Sequence, residues 1–597
     1  MRWRFCKVDR SSLGKLEVRN IVGGSKTPLK KMKHLFLSFF FVALLSCSNV
    51  ANSAENCLPK EQEKSLVALG QLWGFLKYHH PIVSEGKLDW DAELIKIIPI
   101  VMNAPNEEEW KIILDKWVDS LPDVVATQKE TIPLSKIKVK ADYDELFNPK
   151  YFNQSTIDKL QFILDSTQIF ENHYIKLNYC RTYSNPYFIT ITNEPTYSDM
   201  AFPELPYRIL ALFRYWNIVN YFFPCRELCD TKWSEILPEM LPEFVYAENQ
   251  KQYSLACLKL CAKIDDSHGY VQLNSTMVDE IYGQRKVPFE TKFIENKLAV
   301  TAFSCNSIGI EKEISVGDII TKINGEKVET VVERLLPYAS ASNHEVKLRE
   351  IAKKILRTND DVFTLTFLKN GKSVNKIIQT YDIKLLKIPN YYSPKPDAAG
   401  YSIIQDSIGY IFPANCNREE RESEVARIMS NTKGLIIDLR CYPSDYNAFS
   451  IAPYLMKNHG YYSRDTKGNI SMPGYFLIGD EYPLPSDEVG SYTHKVVVIV
   501  NEYTQSQAED HTFFYYLAPK VTIIGSKTAG ANGAIFSFPL PGGITTEMTG
   551  IGVHYPDGTC MQRTGIKINE EIKPTIAGIK AGRDEPLERA IEIINKQ

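Results

Sequence analysis

The chain has 597 residues, which is too long for a single hydrophobic core, so its length predicts roughly three or four domains. Its composition is that of an ordinary globular protein, with 44% apolar and 24% charged residues, and its formal net charge is -3. A charge so close to zero provides no electrostatic footprint for nucleic acid, and we therefore exclude nucleic acid as a partner.

The N-terminus contains a predicted export signal. Met32, a candidate start of translation, precedes a short apolar run, Leu35 to Leu45, which cannot span a bilayer of about 30 Å. Leu44-Leu45-Ser46-Cys47 resembles a bacterial lipobox, although Leu45 fits it imperfectly. Lipidated Cys47 would attach the protein to the membrane, in the periplasm or at the outer membrane. The alternative is ordinary cleavage among Val50 to Ala54, which predicts a secreted protein.

Export would place the remaining cysteines in an oxidising compartment. Cys225 and Cys229, like Cys257 and Cys261, have an i,i+4 spacing that could suit a metal or a disulfide bridge. The sequence lacks the paired His/Cys pattern of a zinc site, so we expect buried free thiols and no metal. It also lacks a glycine-rich phosphate loop or a nucleotide fingerprint, and no cofactor is expected.

Two segments repeat with a fixed offset of 143 residues (216 minus 73) and predict two related helical units, roughly 60–123 and 205–266. The copies diverge after a shared aspartate, because the first continues Val124-Val125 and the second Ser267-His268. A histidine needed only as scaffold would be expected in both, so His268 is a candidate functional residue, with a satisfied structural histidine as the alternative. The pairs in register are Leu69/Leu212, Trp73/Trp216, Tyr78/Tyr221, Pro81/Pro224, Trp90/Trp233 and Asp123/Asp266.

A β-rich module is predicted for residues 286–387. Ile314 to Ile320, the turn KING at 322–325 and Val328 indicate a strand, a glycine turn, a second short strand and a helix, and Phe363 to Phe367 alternates as a closing strand. This pattern resembles a PDZ domain, which binds an extended peptide at a sheet edge and holds its C-terminal carboxylate. A small β-rich spacer is the alternative.

Strands and helices alternate in the C-terminal part of the chain, which predicts an α/β sheet. Ser506 comes where a helix begins, shortly after an apolar strand, and the loop 441–445 follows another strand. Active sites collect at such strand ends, although Ser506 could simply cap its helix. The predicted strands are Ile408 to Phe412, Gly434 to Arg440, Val496 to Val500 and Val521 to Gly525, and the helices are Glu419 to Met429 and Gln507 to Leu517.

Five ordered blocks resemble the tail-specific, or C-terminal-processing, serine peptidases of family S41 over about residues 205–597. They are GLIIDLR at 434–440, TQSQAED at 504–510, IIGSKTAGANG at 523–533, PLPGG at 539–543 and YPDGTCMQRTGIKIN at 555–569. The resemblance implies a crotonase- or ClpP-like α/β peptidase core with its serine at the start of a helix. The fold class expected is therefore multidomain α/β, with an inserted PDZ-like domain and an N-terminal mostly helical region.

The family divides over the catalytic base. One branch uses a lysine directly after a T-x-G turn, where this chain has Ala531, and Lys527, before that turn, is a poor substitute. The other branch, similar to the tricorn core and retinoid-binding-protein-like members, uses a histidine preceded by a serine, which Ser267 and His268 match. The glutamate that orients the site in that branch is replaced here by Gln562, which cannot stabilise an imidazolium by charge.

These observations predict an exported serine endopeptidase of peptides or proteins, with Ser506 as nucleophile and His268 as general base. Ser267 and Gln562 would orient the site, and the backbone N–H groups of Gln507 and Ser444 would hold the oxyanion. The alternative is a catalytically weak or inactive peptide- or ligand-binding lipoprotein. The predicted organisation is a leader (1–54), a helical domain (55–204), a helical part of the peptidase region (205–285), a PDZ-like domain (286–387), a linker (388–400) and an α/β core (401–597).

Overall fold

The computed structural model describes residues 57–127, 129, 131–179, 187–304, 309–369, 371–387, 398–445, 448–456, 460–483 and 492–596. The predicted export signal, with Met32 and Cys47, lies outside these residues, as does most of the predicted linker. In the described part of the chain, no helix combines the length and the apolar character needed to cross a membrane.

The two repeat copies fold into helices whose starts keep the predicted offset. In the first copy the second and third long helices begin at residues 90 and 107, and in the second copy they begin at 233 and 250, again 143 residues later (233 minus 90). The elements are α1 (Lys60–His79), α2 (Pro81–Ser84), α3 (Trp90–Met102), α4 (Glu107–Asp119), β1 (Ile137–Val139), α5 (Gln154–Ser166), β2 (Ile175–Tyr179), β3 (Tyr187–Ile191), α6 (Leu205–Phe222), α7 (Trp233–Val245), α8 (Gln250–Ala262), β4 (Tyr270–Gln272) and α9 (Ser275–Tyr282).

A pair of tryptophans joins the first two long helices in each copy. The indole N–H of Trp73 donates to the Trp90 carbonyl at 3.2 Å, and the indole of Trp90 donates back at 3.0 Å. Trp216 and Trp233 exchange the same two bonds, both at 2.9 Å. Both copies thus satisfy two buried indoles in the same reciprocal way, which is the arrangement that a duplication predicts.

The β-rich module has its own apolar core, which includes Phe289, Leu365 and Phe367. Its elements are β5 (Arg285–Lys286), β6 (Phe289–Ile294), β7 (Lys297–Phe303), β8 (Ile319–Ile323), β9 (Glu326–Lys327), α10 (Val328–Leu335), α11 (His344–Ala352), β10 (Arg357–Thr358), β11 (Val362–Lys369), β12 (Lys372–Gln379) and β13 (Tyr381–Asp382). The main sheet has the strand order β12-β11-β8-β7-β6. Its identity as a PDZ domain stays a prediction.

The bounds predicted for the first strand of this module, Ile314 to Ile320, are wrong, because the strand runs from Ile319 to Ile323. The preceding residues form a turn, in which the Asp318 N–H donates to the Ser315 carbonyl at 3.0 Å and Gly317 has a φ of +82°. A left-handed glycine and an aspartate that bonds back to the backbone favour a turn over a strand.

The C-terminal region contains the predicted α/β sheet. Its elements are β14 (Tyr401–Ile404), β15 (Ile408–Ile411), α12 (Arg421–Asn431), β16 (Gly434–Asp438), α13 (Ala448–Leu455), β17 (Tyr461–Gly468), β18 (Phe476–Ile478), β19 (Tyr482–Pro483), β20 (Lys495–Val500), α14 (Gln507–Tyr516), β21 (Val521–Gly525), β22 (Ile535–Leu540), β23 (Ile544–Thr549), β24 (Ile551–His554), β25 (Glu570–Glu571), α15 (Ile576–Lys580) and α16 (Glu585–Asn595). The strand order is β14-β15-β16-β20-β21-β25, and only β14 runs antiparallel to its neighbour.

Both faces of this sheet are covered, which explains the unbroken apolar run of β20. Val496, Val498 and Val500 pack in one cluster with residues of α12, α13 and α14. Val497 and Ile499 pack in another with Ala590 and Ile594 of α16, and all five residues from Val496 to Val500 are almost completely buried. A strand covered on both sides needs apolar residues at every position.

Strand pairing connects the helical regions to the C-terminal region. Strand β4, directly after the second helical copy, pairs antiparallel with β23, and β1 pairs with β18. These pairings bring together segments that precede and follow the β-rich module in the sequence. The limits predicted for the domains stay predictions.

Candidate active site

Ser506 occupies a strained position between β20 and α14. It is the N-cap residue of α14, with φ +55° and ψ −118°. A positive φ is uncommon for a residue with a side chain, and such strain at a strand-to-helix turn is typical of exposed nucleophiles. The Ser506 N–H donates to the Ala531 carbonyl at 2.9 Å, so the strained backbone is tied to the turn after β21.

The buried carboxylate of Glu509 holds this turn in place. It accepts hydrogen bonds from the Thr528 hydroxyl at 2.5 Å and from the N–H groups of Gly530 and Ala531 at 2.7 and 3.1 Å, and from the Ser506 N–H at 3.3 Å. Burial raises the pKa of Glu509 to about 7, and the four hydrogen bonds oppose that rise. In the lysine branch, the catalytic base follows this turn. In the present chain, the turn supports the backbone of Ser506 instead.

The hydrogen bonds around His268 define its tautomer. Its Nδ1 lies 2.9 Å from the Thr549 hydroxyl, and that hydroxyl lies 3.0 Å from Oδ1 of Asp266. Because a carboxylate only accepts, the single hydroxyl proton of Thr549 points to Asp266, and Nδ1 must carry the proton that Thr549 accepts. His268 Nε2 is then unprotonated and has a lone pair available. Burial lowers the pKa of His268, against the charge of Asp266, which favours this neutral form.

Asp266 is completely buried and is the centre of this network. It accepts the Thr549 N–H at 2.8 Å, the His268 N–H at 3.0 Å and the side-chain amide of Gln562 at 2.9 Å. Gln562 therefore donates to Asp266, the carboxylate that Thr549 links to the imidazole. A neutral donor at this position is compatible with a negative charge that is supplied by Asp266.

Sequence reasoning missed Asp266 and Thr549 as site residues. Asp266 was identified only as a shared position of the repeat, and its place two residues before His268 was the available signal. Thr549 had no such signal, because it lies 281 positions from His268 in sequence. It reaches the imidazole because it ends β23, the strand that pairs with β4 directly after His268.

Two connections bring the histidine segment next to the serine segment. The side-chain amide of Gln505 donates to the Ser267 carbonyl at 3.0 Å. The Ser267 hydroxyl donates to the Ala529 carbonyl at 2.8 Å, in the same turn that accepts the Ser506 N–H at Ala531. The residues directly before His268 and Ser506 are thus hydrogen-bonded to each other, and both segments are fixed to the 528–531 turn.

The two predicted oxyanion donors differ in availability. No acceptor for the Gln507 N–H is found among the described residues, as expected for the first residue of a helix. The Ser444 N–H instead donates to the Pro413 carbonyl at 3.1 Å, so in this structure it is already engaged. In the same loop, burial raises the pKa of the Tyr442 phenol, and the nearby Ser506 side chain opposes that rise.

A cavity of about 550 Å³ lies beside Ser267 and Gln505, the residues directly before His268 and Ser506, and could receive a substrate. Ser267 and Gln505 belong to its wall, together with residues of the second helical copy and of the β-rich module such as Tyr270, Tyr338 and Arg349. The side chain of Arg349 donates to the Gln505 side-chain oxygen at 3.0 Å, so the module contacts the serine segment directly.

A strained serine at the start of a helix of an α/β core, and a half-buried histidine linked to a buried aspartate, are features of serine peptidases. Residues 407–572 match the model of Peptidase family S41, and this match supports a serine peptidase of that family. The matched region includes Ser506 and Gln562, but it begins after His268 and does not contain it. The family membership predicted from the five sequence blocks is confirmed, whereas the Ser/His branch stays a prediction.

Similar solved structures share the fold. Mature CPAF complexed with lactacystin has a TM-score of 0.51 and 13% identity, over 66% of this chain and 99% of that chain. Another structure of mature CPAF gives 0.51 and 14%, over 65% and 96%. The photosystem II D1 C-terminal processing protease has 15% identity over 64% of this chain and 96% of that chain. Its TM-score of 0.37 is too low to support a conclusion. A search of curated proteins finds no match.

Proposed function

We propose that this protein is an exported serine endopeptidase that cleaves peptides or proteins through an acyl-enzyme on Ser506, with His268 as the general base. The observation that carries the proposal is the hydrogen bond between Gln505 and Ser267. It joins the residues that precede the nucleophile and the base, although 238 positions separate them in sequence. Such a bond is what a preorganised nucleophile and base require.

In this mechanism the lone pair of His268 Nε2 takes the proton of Ser506 as Oγ attacks the peptide carbonyl. The imidazolium returns this proton to the leaving amine, and water then hydrolyses the acyl-enzyme with the same base. Asp266 stabilises the imidazolium charge through the hydroxyl of Thr549. Glu509 keeps the serine backbone in its strained conformation.

The developing oxyanion is held by the Gln507 N–H at the positive end of α14 and by the phenol of Tyr442, in place of the Ser444 N–H. A Tyr442→Phe variant should therefore acylate roughly 10- to 100-fold more slowly, because the loss of one oxyanion donor costs rate without changing the nucleophile. An unchanged acylation rate would exclude the phenol from this role. A Ser444→Ala variant, which keeps its backbone N–H, is the matched control.

The substrate is a peptide segment that lies in the cavity beside Ser267 and Gln505. The β-rich module, acting as a PDZ-like domain, would bind the C-terminus of the substrate and present the preceding residues to the serine. Arg349 supports this coupling, because it links helix α11 of the module to Gln505.

A fluorophosphonate probe tests the proposal, because it labels an activated serine covalently. Wild-type protein should be labelled, and Ser506→Ala and His268→Ala should not. Lys527→Ala is the control for the other catalytic branch and should be labelled like wild type. Labelling that survives in His268→Ala but disappears in Lys527→Ala would show that the base is the lysine, and labelling that is unchanged in Ser506→Ala would exclude the nucleophile.

A non-catalytic peptide-binding lipoprotein is the second candidate function. The engaged N–H of Ser444 and the presence of Gln562 in place of glutamate favour it. It predicts that wild-type protein binds peptides but is not labelled by the probe at any pH.

A further inference from the structure

The cavity beside Ser267 and Gln505 has a positively charged wall. Within the described part of the chain, its charged wall residues are three cations and one carboxylate, and all four lie in or directly after helix α11 of the β-rich module. They are Arg349, Glu350, Lys353 and Lys354. The mechanism at Ser506 does not use this excess of positive charge, which favours a substrate that carries negative charge.

Three of these four charges are already paired. Glu350 Oε1 accepts hydrogen bonds from Arg349 Nε at 2.9 Å and from Lys353 Nζ at 2.6 Å. The guanidinium of Arg349 also donates to the Glu502 carbonyl at 2.5 Å and to the side chain of Gln505 at 3.0 Å. These contacts hold Arg349 and Lys353 in place and balance the charge of Glu350.

Lys354 is the remaining cation of the wall. Its Nζ lies 4.8 Å from the centre of the Tyr282 ring, which belongs to the same wall. Lys353 forms a salt bridge with Glu350, whereas no carboxylate of the described residues forms one with Lys354. Burial lowers the pKa of Lys354, against the charge of Glu350. A carboxylate from a ligand would stabilise this half-buried ammonium.

The hydroxyl of Tyr282 is a second unsatisfied group in this wall. It is buried and has no hydrogen-bond partner among the residues that the structure describes. Buried hydroxyl groups normally have a partner, so an unsatisfied one beside a cavity points to a missing ligand. Tyr282 and Lys354 therefore provide one donor each for a carboxylate.

We propose that Lys354, together with the Tyr282 hydroxyl, binds an acidic side chain of the substrate and makes the protein selective for peptides with Asp or Glu near the cleaved bond. This inference rests on the proposed function of Ser506. It adds a substrate class to that function, because a neutral or basic side chain at this position leaves both donors unsatisfied.

The size of the cavity limits where the acidic residue can lie. A sphere with the cavity volume of about 550 Å³ is roughly 10 Å across, and an extended peptide covers about 3.3 Å per residue. The cavity therefore holds roughly three residues. Because Gln505 of its wall directly precedes Ser506, the acidic residue should lie within about four residues of the cleaved bond.

An internal side chain is favoured over the substrate C-terminus as the source of the carboxylate. The cavity adjoins the residues directly before the nucleophile and the base, where an endopeptidase holds the residues next to the bond that it cleaves. In the proposed function, the free C-terminus binds elsewhere, at a sheet edge of the PDZ-like module.

The test is a cleavage profile of the full-length protein on a randomised decapeptide library with acetylated N-termini and amidated C-termini. Mass spectrometry of the products should show Asp and Glu enriched at one position within about four residues of the cleaved bond. A pair of peptides with Glu or Gln at that position should then differ by about 10- to 100-fold in kcat/KM, as expected for one charge-assisted hydrogen bond.

Substitutions at Lys354 should change this preference without changing the nucleophile. Lys354→Gln should reduce the difference between the Glu and Gln peptides to about twofold or less, and Lys354→Glu should favour Lys at the same position. Both variants should react with the fluorophosphonate probe like wild type, because the probe has no acidic residue. Lys327→Gln, an exposed position of the same module outside the cavity wall, is the matched control and should keep the preference.

The outcomes separate this inference from the proposed function. Cleavage without an acidic preference, or a preference unchanged in Lys354→Gln, would overturn the inference and leave the nucleophile in place. An acidic preference that appears only with free C-termini would assign the cavity to the substrate C-terminus and would also overturn it. Wild-type protein that neither cleaves nor reacts with the probe would overturn the proposed function and this inference together. The wild-type profile decides even if a Lys354 variant fails to fold.

Discussion

The two helical copies place the same aspartate in opposite environments. Asp123, after the third long helix of the first copy, is exposed, and the nearby Val125 is 79% exposed. Asp266, at the matching position of the second copy, is 0% exposed and accepts hydrogen bonds from His268, Thr549 and Gln562. Both copies keep the helices and the tryptophan pair, so the difference arises from the segment after the shared aspartate.

In the second copy this segment leads into strand β4, which pairs with β23 of the peptidase region. No strand is found at the matching position of the first copy, within the described residues 120–127. The pairing of β4 with β23 places Asp266 beside its donors, whereas Asp123 stays exposed. Four predictions test this comparison.

The largest expected effect is that of Asp266→Asn. The amide lacks the negative charge that stabilises the imidazolium, and its NH2 group faces donors, so acylation of Ser506 should slow by about 10³-fold or more. Asp123→Asn is the matched control on the exposed copy, where stability should change by less than about 0.5 kcal/mol and acylation should not change. Rates of fluorophosphonate labelling and urea unfolding measure both. Equal rates in the two variants would contradict a special role for the second copy.

Thr549→Val should slow acylation by roughly 10- to 100-fold, because the isosteric side chain no longer accepts the Nδ1 proton or transmits the charge of Asp266. Thr549→Ser keeps the hydroxyl and should recover most of the rate. Thr546→Val, on the same strand, removes a buried hydroxyl that donates to the Tyr270 carbonyl and serves as the control. If both valine variants slow acylation equally, the effect is one of packing.

The pH dependence should report the depressed pKa of His268. Burial lowers this pKa from its ordinary value of 6.5, so the midpoint of the acid limb of the labelling rate should lie below pH 6.5. The unfolded chain binds the proton more readily in that range, so this group should also reduce stability as the pH falls. Asp266→Asn removes the opposing charge and should move the acid limb to lower pH, whereas Asp123→Asn should not. An acid limb of the labelling rate with its midpoint above pH 6.5 would contradict the assignment of His268 as the base.

The smallest contrast is expected for the tryptophans. Trp73→Phe and Trp216→Phe each leave one buried carbonyl without its indole donor and should each cost about 1–3 kcal/mol of unfolding free energy. Only Trp216→Phe should also slow labelling, by a few-fold, since its copy carries His268. Chemical denaturation and labelling rates of the two variants give the comparison. Equal slowing by both would indicate that the copies act as one mechanical unit.

Much of the fold was predictable because it depends on local patterns. The predicted strands and helices of the core agree with the structure within two residues, since β20 and β16 are continuous apolar runs. The predicted strand bounds at Ile314 to Ile320 failed, because a left-handed glycine overrides an apolar pattern. The order of the five sequence blocks indicated Ser506 as a candidate, and the divergence between the two copies indicated His268.

By itself, the sequence determined the family, the duplication and the identities of the nucleophile and base candidates, because these depend on residue types at given spacings. Only the tertiary structure decided that Thr549 lies between Asp266 and His268 and that the Ser444 N–H is engaged. The first contact joins segments hundreds of residues apart, and the second depends on where a backbone N–H points. Such relations are produced by strand pairing and packing, which no local pattern encodes.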